Sequence, residues 1–396
     1  MRIKEIEINN YRSCVKTKFE LQDNLTALIG INGVGKSNIL NALQLLTKSR
    51  RNRRYFDEEH NENLLTTKLN LTLEYEEKLI FLRANIFYET DERNTDEIFN
   101  IDLKYRLENT AARKWNKLNN EFLDVADFMN KKGLVDVPKN KQFQTEKAKW
   151  EIKFLQHLNK VNYYSATQFS DPSKCPISFE LEDSRLARSY RREATHEYFM
   201  YELHRTFKTK PETFKLFLNT VNGNGIQIID DFQFIEHEVP SSSYKVRAGG
   251  KIEKIEKTRK IVIPSAIVDG LNLSPNQLSE GTFKTLALVF YIINDESELL
   301  LIEEPEVCIH HGLLNSLIEL IQIYSKNKQI VISTHSDYVL DKLEPENVLL
   351  VRKDNGTQAK RLTKSLTNNE FKALKDYLDN SGNLGEYWKE GGFEDE

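Results

Sequence analysis

The nine residues "GINGVGKSN", Gly30 to Asn38, constrain this chain more than any other stretch. They satisfy G-x-x-x-x-G-K-[ST] in full and lie between the apolar run "NLTALIG" and the helical pattern "NILNALQLL". A strand, a glycine-rich loop and a helix in that order point to a sheet flanked by helices. Gly30, Gly33 and Gly35 let the backbone curl until the N–H groups around Asn32 and Val34 face inward on an anion. The helix starting near Lys36 adds the positive end of its dipole. Lys36 can reach the outer phosphates of a nucleotide, and the Ser37 hydroxyl, followed by Asn38, can coordinate Mg²⁺.

A phosphate cradle that turns over its ligand needs an acidic partner for the metal and a group to handle water. "LLLIEEPE" supplies both. Its apolar run reads as a strand buried on both faces of a parallel sheet, ending in Glu303 and Glu304. Ligands of such sheets sit beyond the carboxyl ends of the strands. Neighbouring strand residues point to opposite faces, so the two carboxylates should divide the work. Glu303 is expected in the Mg²⁺ shell, and Glu304 is expected to orient or deprotonate water. Two further segments fit the same site. "NQLSEGTFKTLALVF" places Ser279 and Gly281 at a helix start, a second anion site. "QIVISTHSDYVL" is a strand ending in Thr334-His335-Ser336, where His335 can donate to a γ-phosphate.

The order P-loop, "LSEGT", "LLLIEEPE", "STHS" resembles an ABC-type ATPase head of the RecF, SMC and OLD group. It is similar to the stand-alone AAA-type (AAA_21/AAA_15-like) ATPases of bacterial anti-phage defence systems. The resemblance covers residues 1–45 and 277–345. It implies an α/β P-loop NTPase, an ABC-ATPase head whose mixed sheet is flanked by helices, with a helical and β insertion. ATP and Mg²⁺ are the implied cofactors. "LSEGT" corresponds to the signature motif, so Ser279 and Gly281 would serve the nucleotide of a second copy in an ATP-dependent homodimer or higher oligomer. Arg12 of "NYRS" resembles the family's amino-terminal basic residue near the nucleotide. Gln168, at the end of "VNYYSATQFSD", corresponds to the metal-contacting glutamine, with Gln142 and Gln144 as alternatives. His310 stands where ABC transporters carry an aspartate, so that role does not carry over.

The motifs divide the chain into an amino-terminal head segment (1–100), a mainly helical insertion (101–225) with a strand returning near 161–169, and a carboxyl-terminal head segment (226–396). "FQFIEHEVPSSSYKVRAGGKIEKIEKTRKIVIPS" alternates around Gly249-Gly250, a hairpin signal. No heptad pattern persists over three repeats, which excludes a long coiled coil. Basic clusters at Lys48–Arg54, Arg188–Arg192 and Lys245–Lys260 read as solvated faces or phosphate contacts.

A formal charge of −4 argues against a uniformly basic nucleic-acid coat while leaving local contact with DNA or another nucleic acid open. The apolar runs are too short for a membrane span, and the start carries no apolar leader core. Three widely spaced cysteines suggest a reducing, cytoplasmic setting. About sixty residues follow "STHS" and lack the paired acidic motif of a TOPRIM nuclease. The expectation is an ATPase that senses or regulates a separate effector, a nuclease being the leading class, in anti-phage defence. The alternatives are a RecF-like DNA repair ATPase that clamps DNA, and a nucleotide-gated scaffold with negligible turnover.

Overall fold

Alternation in the first residues becomes a strand whose apolar side chains all face one way. The computed structural model describes residues 1–47, 66–90, 97–108, 114–181, 196–246, 252–380, 382–391 and 393. β1 (Arg2–Tyr11) and β2 (Cys14–Glu20) lead to β3 (Leu25–Ile29), then β4 (Thr67–Tyr75), β5 (Lys78–Thr90), β6 (Glu97–Leu107) and β7 (Asn116–Lys117). Without β3 these form an antiparallel sheet in the order β2-β1-β4-β5-β6-β7. The register sets Ile6 opposite Leu71, Leu71 opposite Leu82 and Leu82 opposite Tyr105, all buried. A slip of one residue would put this whole set in water, so the pattern fixes the pairing.

That apolar face is covered by the helix Glu146–Leu158, whose Phe154, Leu155 and Leu158 are fully buried. Trp150 stacks on Phe154 with ring centroids 5.5 Å apart, and the Tyr105 hydroxyl donates to Glu151 at 2.9 Å. Burial, with that carboxylate behind it, pushes the Tyr105 phenol well above its ordinary pKa.

The chain continues with β8 (Val161–Ser165), β9 (Phe179–Leu181), β10 (Asp231–Val246), β11 (Ile252–Val268), β12 (Leu271–Leu273), β13 (Leu299–Glu303), β14 (Gln329–Thr334), β15 (Val348–Lys353) and β16 (Thr357–Arg361). The central sheet runs β16-β15-β3-β14-β13-β8. Strands β15, β3, β14 and β13 are parallel to one another, and β16 is antiparallel to β15. Every residue of β3 and β14 is buried, as a strand covered on both faces requires. Leu28, Leu301 and Val331 of this sheet share one core with the helix Lys36–Gln44 and the first sheet. The expected mixed α/β fold, a mixed sheet with helices beside it, is present.

Two compact units result. The first holds Met1–Tyr164, Asp295–Pro305 and Ile321–Glu396; the second holds Ser165–Asn294 and Glu306–Leu320. The segment 101–225 is divided between these units, because the helix Glu146–Leu158 buries its apolar stripe on the first sheet, and the segment 226–396 is divided as well. In the second unit β10 and β11 pair from Asp231↔Ile267 to Val246↔Ile252, the expected hairpin. Its turn residues Gly249 and Gly250 lie outside the described residues, as do Lys48–Arg54 and Arg188–Arg192. On the hairpin, Lys254, Arg259 and Lys260 pair with Glu256, Glu180 and Glu238, which neutralises part of the third basic cluster. Among the described residues, no helix is long and apolar enough to cross a membrane.

Candidate nucleotide site

β3 delivers the chain to the P-loop, and the loop delivers it to the helix Lys36–Gln44. Gly35 caps that helix at φ 104°, a left-handed conformation that favours glycine. There is also no room for a side chain there: a Cβ would lie 2.0 Å from Thr357 Oγ1. Gly30 is glycine for space alone, since a Cβ would meet the Val351 carbonyl at 2.3 Å. Lys36 is only 5% exposed, and its ammonium donates to the carbonyls of Gly30 at 2.7 Å and Ile31 at 3.2 Å. A desolvated cation folded over a ring of curled backbone is a fit for an anionic ligand.

The order of the central sheet sets what stands beside this loop. β14 lies between β3 and β13, so the tip carrying Thr334 and His335 separates the P-loop from the two glutamates. Glu303 lies level with Ser333 in the register. The Glu304 N–H then donates to the Ser333 carbonyl at 2.9 Å, and Glu304 takes φ 46°. That turn gives the two carboxylates different partners. Glu303 Oε2 accepts from the Tyr163 hydroxyl on β8, and Glu304 Oε1 lies 3.6 Å from His335 Nδ1. The Ser333 hydroxyl at this tip is buried with no hydrogen-bond partner among the described residues.

Arg12 sits at the β1–β2 turn with φ 50°, and its Nη1 donates to Asn38 Oδ1 at 3.4 Å. The structure therefore places Arg12, Gly30, Asn32–Asn38, Glu303, Glu304 and His335 in the first compact unit. Ser279, Gly281 and Gln168 belong to the second. Ser279 Oγ accepts from the Thr282 N–H at 3.1 Å and so caps the helix Glu280–Asn294. The Lys284 ammonium, 2.8 Å away, holds the neighbouring Glu280 carboxyl below its ordinary pKa. A Cβ at Gly281 would lie 2.7 Å from the Cys308 carbonyl, so the loop after β13 passes close to this helix start. Gln168 Oε1 accepts from the Ser165 N–H at 3.3 Å, closing a capping box on its own turn. Gln142 and Gln144 are exposed, and Gln144 donates to the Pro138 carbonyl at 3.0 Å.

Among the described residues, no three His, Cys, Asp or Glu side chains form a metal cluster. Ser37, Glu303 and Glu304 offer hard oxygen donors too few to complete a shell. That set suits Mg²⁺, which commonly keeps one or two carboxylates and shares the rest with phosphates and water. Sequence reasoning missed Tyr163, Ser13 and Thr357. Tyr163 lay in the quoted "VNYYSATQFSD", and Thr357 follows Asn355-Gly356, a hairpin signal between β15 and β16.

Residues 1–340 match the family AAA_15, described as an AAA ATPase domain. No curated protein matches the chain. Among solved structures, the chain is similar to an SMC head domain from Thermotoga maritima, with 14% identity over 91% of this chain and 98% of that one and a TM-score of 0.44. It is also similar to the SmcHead bound to the C-winged helix domain of ScpA, with 15% identity over 95% of this chain and 100% of that one and a TM-score of 0.49. A third is the Smc head domain with an extended coiled coil bound to the C-terminal domain of ScpA, derived from Pyrococcus furiosus. It shows 13% identity over 95% of this chain and 99% of that one, with a TM-score of 0.46.

Proposed function

The chain belongs to the AAA_15 family of AAA ATPase domains, and from that premise we propose that it binds and hydrolyses ATP with Mg²⁺, dimerises on ATP and regulates a separate effector in anti-phage defence. One observation carries the catalytic part. The P-loop, a histidine and a diverging pair of glutamates stand on the tips of β3, β14 and β13, three neighbouring parallel strands.

In this reading the P-loop N–H groups and the Lys36 ammonium hold the outer phosphates, and Arg12 adds a second cation beside Asn38. Ser37 and Glu303 hold Mg²⁺, with Tyr163 fixing the Glu303 carboxylate in place. The resemblance assigns Gln168 to the metal as well, and its Oε1, which accepts from the Ser165 N–H, keeps a second lone pair. When bound, Mg²⁺ neutralises charge that develops on the phosphate oxygens. Glu304 orients or deprotonates the attacking water. His335 steadies Glu304 and donates toward the γ-phosphate. Ser279 and Gly281 complete the site of a second copy. The effector, a nuclease by class, rests on the resemblance of the four motifs to stand-alone defence ATPases.

Steady-state phosphate release tests the catalytic part. Wild type should turn over ATP in Mg²⁺, and Lys36→Ala should lose about two orders of magnitude of activity, because it removes the cation buried in the loop. Turnover of Lys36→Ala near wild type would refute the site. Purified chain given ATP with Mg²⁺ or Mn²⁺ should leave DNA and RNA intact. Cleavage that a substitution within this chain abolishes would refute the separate effector.

A further inference from the structure

We infer that Thr357 is a positioning residue of this nucleotide site, the last hydroxyl in a directed chain of hydrogen bonds that sets the P-loop peptide between Val34 and Gly35. The inference rests on the ATP reading above and assigns to a carboxyl-terminal hairpin a task in a site built from the amino terminus.

The direction of the chain follows from counting protons. Thr357 is fully buried, and its Oγ1 donates its single proton to the Val34 carbonyl at 2.8 Å. It has none left for Ser13, whose Oγ is 2.7 Å away, so Ser13 must be the donor in that pair. Ser13 Oγ in turn accepts from Asn38 Nδ2 at 2.6 Å. That fixes the amide so that Asn38 Oδ1 faces Arg12 Nη1 at 3.4 Å. Protons are thus given in one sense, from Arg12 to Asn38, Ser13, Thr357 and the Val34 carbonyl. The backbone of Thr357 is held as well. Its N–H donates to the Ser13 carbonyl at 2.7 Å, and its carbonyl accepts from Thr17 Oγ1 at 2.6 Å.

The consequence for the site comes from peptide geometry. The Val34 carbonyl and the Gly35 N–H belong to one planar unit and point in opposite senses. Tying the carbonyl to Thr357 turns the Gly35 N–H away from Thr357, which frees it to serve the anion that the loop is proposed to cradle. Thr357 Oγ1 lies so close to Gly35 that it occupies the place a Cβ would need, so the contact requires glycine there. A valine at 357 would keep the shape. It would leave the buried Val34 carbonyl without its donor and the half-buried Ser13 hydroxyl without its acceptor, and the peptide could rotate to relieve the carbonyl. The same chain ends on Arg12 beside the start of the P-loop helix, so one hydroxyl lies behind both the loop peptide and the arginine that the ATP reading assigns to the nucleotide.

The test compares Thr357→Val, Thr357→Ser and Ser13→Ala with wild type in the full chain. MgATP and MgADP affinity, KM, kcat and the ligand-free unfolding midpoint are measured for each. Thr357→Val should weaken affinity and raise KM roughly five- to thirtyfold, as expected for one lost buried hydrogen bond, with kcat changed less because Glu304 and His335 are untouched. Thr357→Ser keeps the hydroxyl and should return affinity to within about threefold of wild type. Ser13→Ala breaks the chain one link earlier and should act in the same sense but more weakly. A Thr357→Val protein that is merely less stable, with affinity within about twofold of wild type, would overturn the inference. If that variant does not fold, Ser13→Ala decides, and unchanged affinity there also overturns it. Wild type that binds no nucleotide would sink the ATP reading and this inference together, whereas wild type that binds as tightly as Thr357→Val sinks this inference alone.

Discussion

Glu304 occupies a backbone conformation that suits glycine, at φ 46°. Such a residue costs on the order of 1–3 kcal/mol, and the surrounding structure has to impose it. Here the bond from the Glu304 N–H to the Ser333 carbonyl at 2.9 Å does so. The result is that two adjacent carboxylates, which would repel each other side by side, turn to separate partners. Their substitutions should therefore behave differently. Glu304→Gln should keep MgATP affinity and lose hydrolysis by about two to three orders of magnitude, trapping a long-lived ATP-bound dimer visible by light scattering. Glu303→Gln should raise the Mg²⁺ concentration needed for half-maximal nucleotide binding, and Tyr163→Phe should move the same quantity in the same direction by less. Titrations of Mg²⁺ against bound nucleotide separate the two, and identical behaviour of Glu303→Gln and Glu304→Gln would refute the division.

At the scale of elements, β13 is anchored before it reaches its acidic tip. Glu298, the residue before the strand, accepts from the Met1 ammonium at 3.0 Å and lies 2.6 Å from His157 Nδ1. Burial alone would raise the Glu298 carboxyl, but His157 and the ammonium outweigh it and hold the carboxyl at about 2, against an ordinary 4.5. A depressed carboxyl contributes stability that is fully present above its ordinary pKa and is lost as pH falls through the folded value. Glu298→Gln should therefore lower the free energy of unfolding at pH 7, by on the order of 1 kcal/mol once solvent screening is allowed for. The difference from wild type should shrink between about pH 4.5 and 2. A difference that persists unchanged to pH 2 would show that the ion pairs are not its source. Elements like β13 were readable in advance. A run such as "LLLIEE" states that a strand is buried on both faces and where it ends. Alternation in "MRIKEIEINNYRS" states which side is buried. Neither states what lies opposite. The stretch "EKAKWEIKFLQHLNK" reads as helical and polar, and nothing in it states that Phe154, Leu155 and Leu158 belong against the first sheet. Thr357 meets Val34 across a separation of 323 residues, and a threonine after Asn-Gly carries no local mark of that meeting.

At the scale of the whole molecule, Lys36 and Ser279 belong to different compact units of one chain, and each stands at the start of a helix, whose positive dipole end favours an anion. On the proposed reading the P-loop cradles the phosphates of the nucleotide bound to its own chain. A second anion site on the same chain is accounted for if it serves the nucleotide of another copy, in a dimer with two equivalent, shared sites. Each site then takes Lys36 from one chain and Ser279 from its partner. Lys36→Ala and Ser279→Arg should each be inactive alone. The second also loses the cap that Ser279 supplies to Thr282, worth about 1 kcal/mol, so its folding is checked by its unfolding midpoint. When the two variants are mixed and allowed to exchange, about half the dimers contain one chain of each kind. In those dimers one site collects both defects and the other is intact. Activity should return to roughly a quarter of wild type if the sites work independently. A cysteine pair placed at the P-loop of one variant and beside Ser279 of the other, cross-linked with ATP present, reports whether the two segments meet between chains. Cross-linking only within a chain, with mixtures that stay inactive, would refute the shared site.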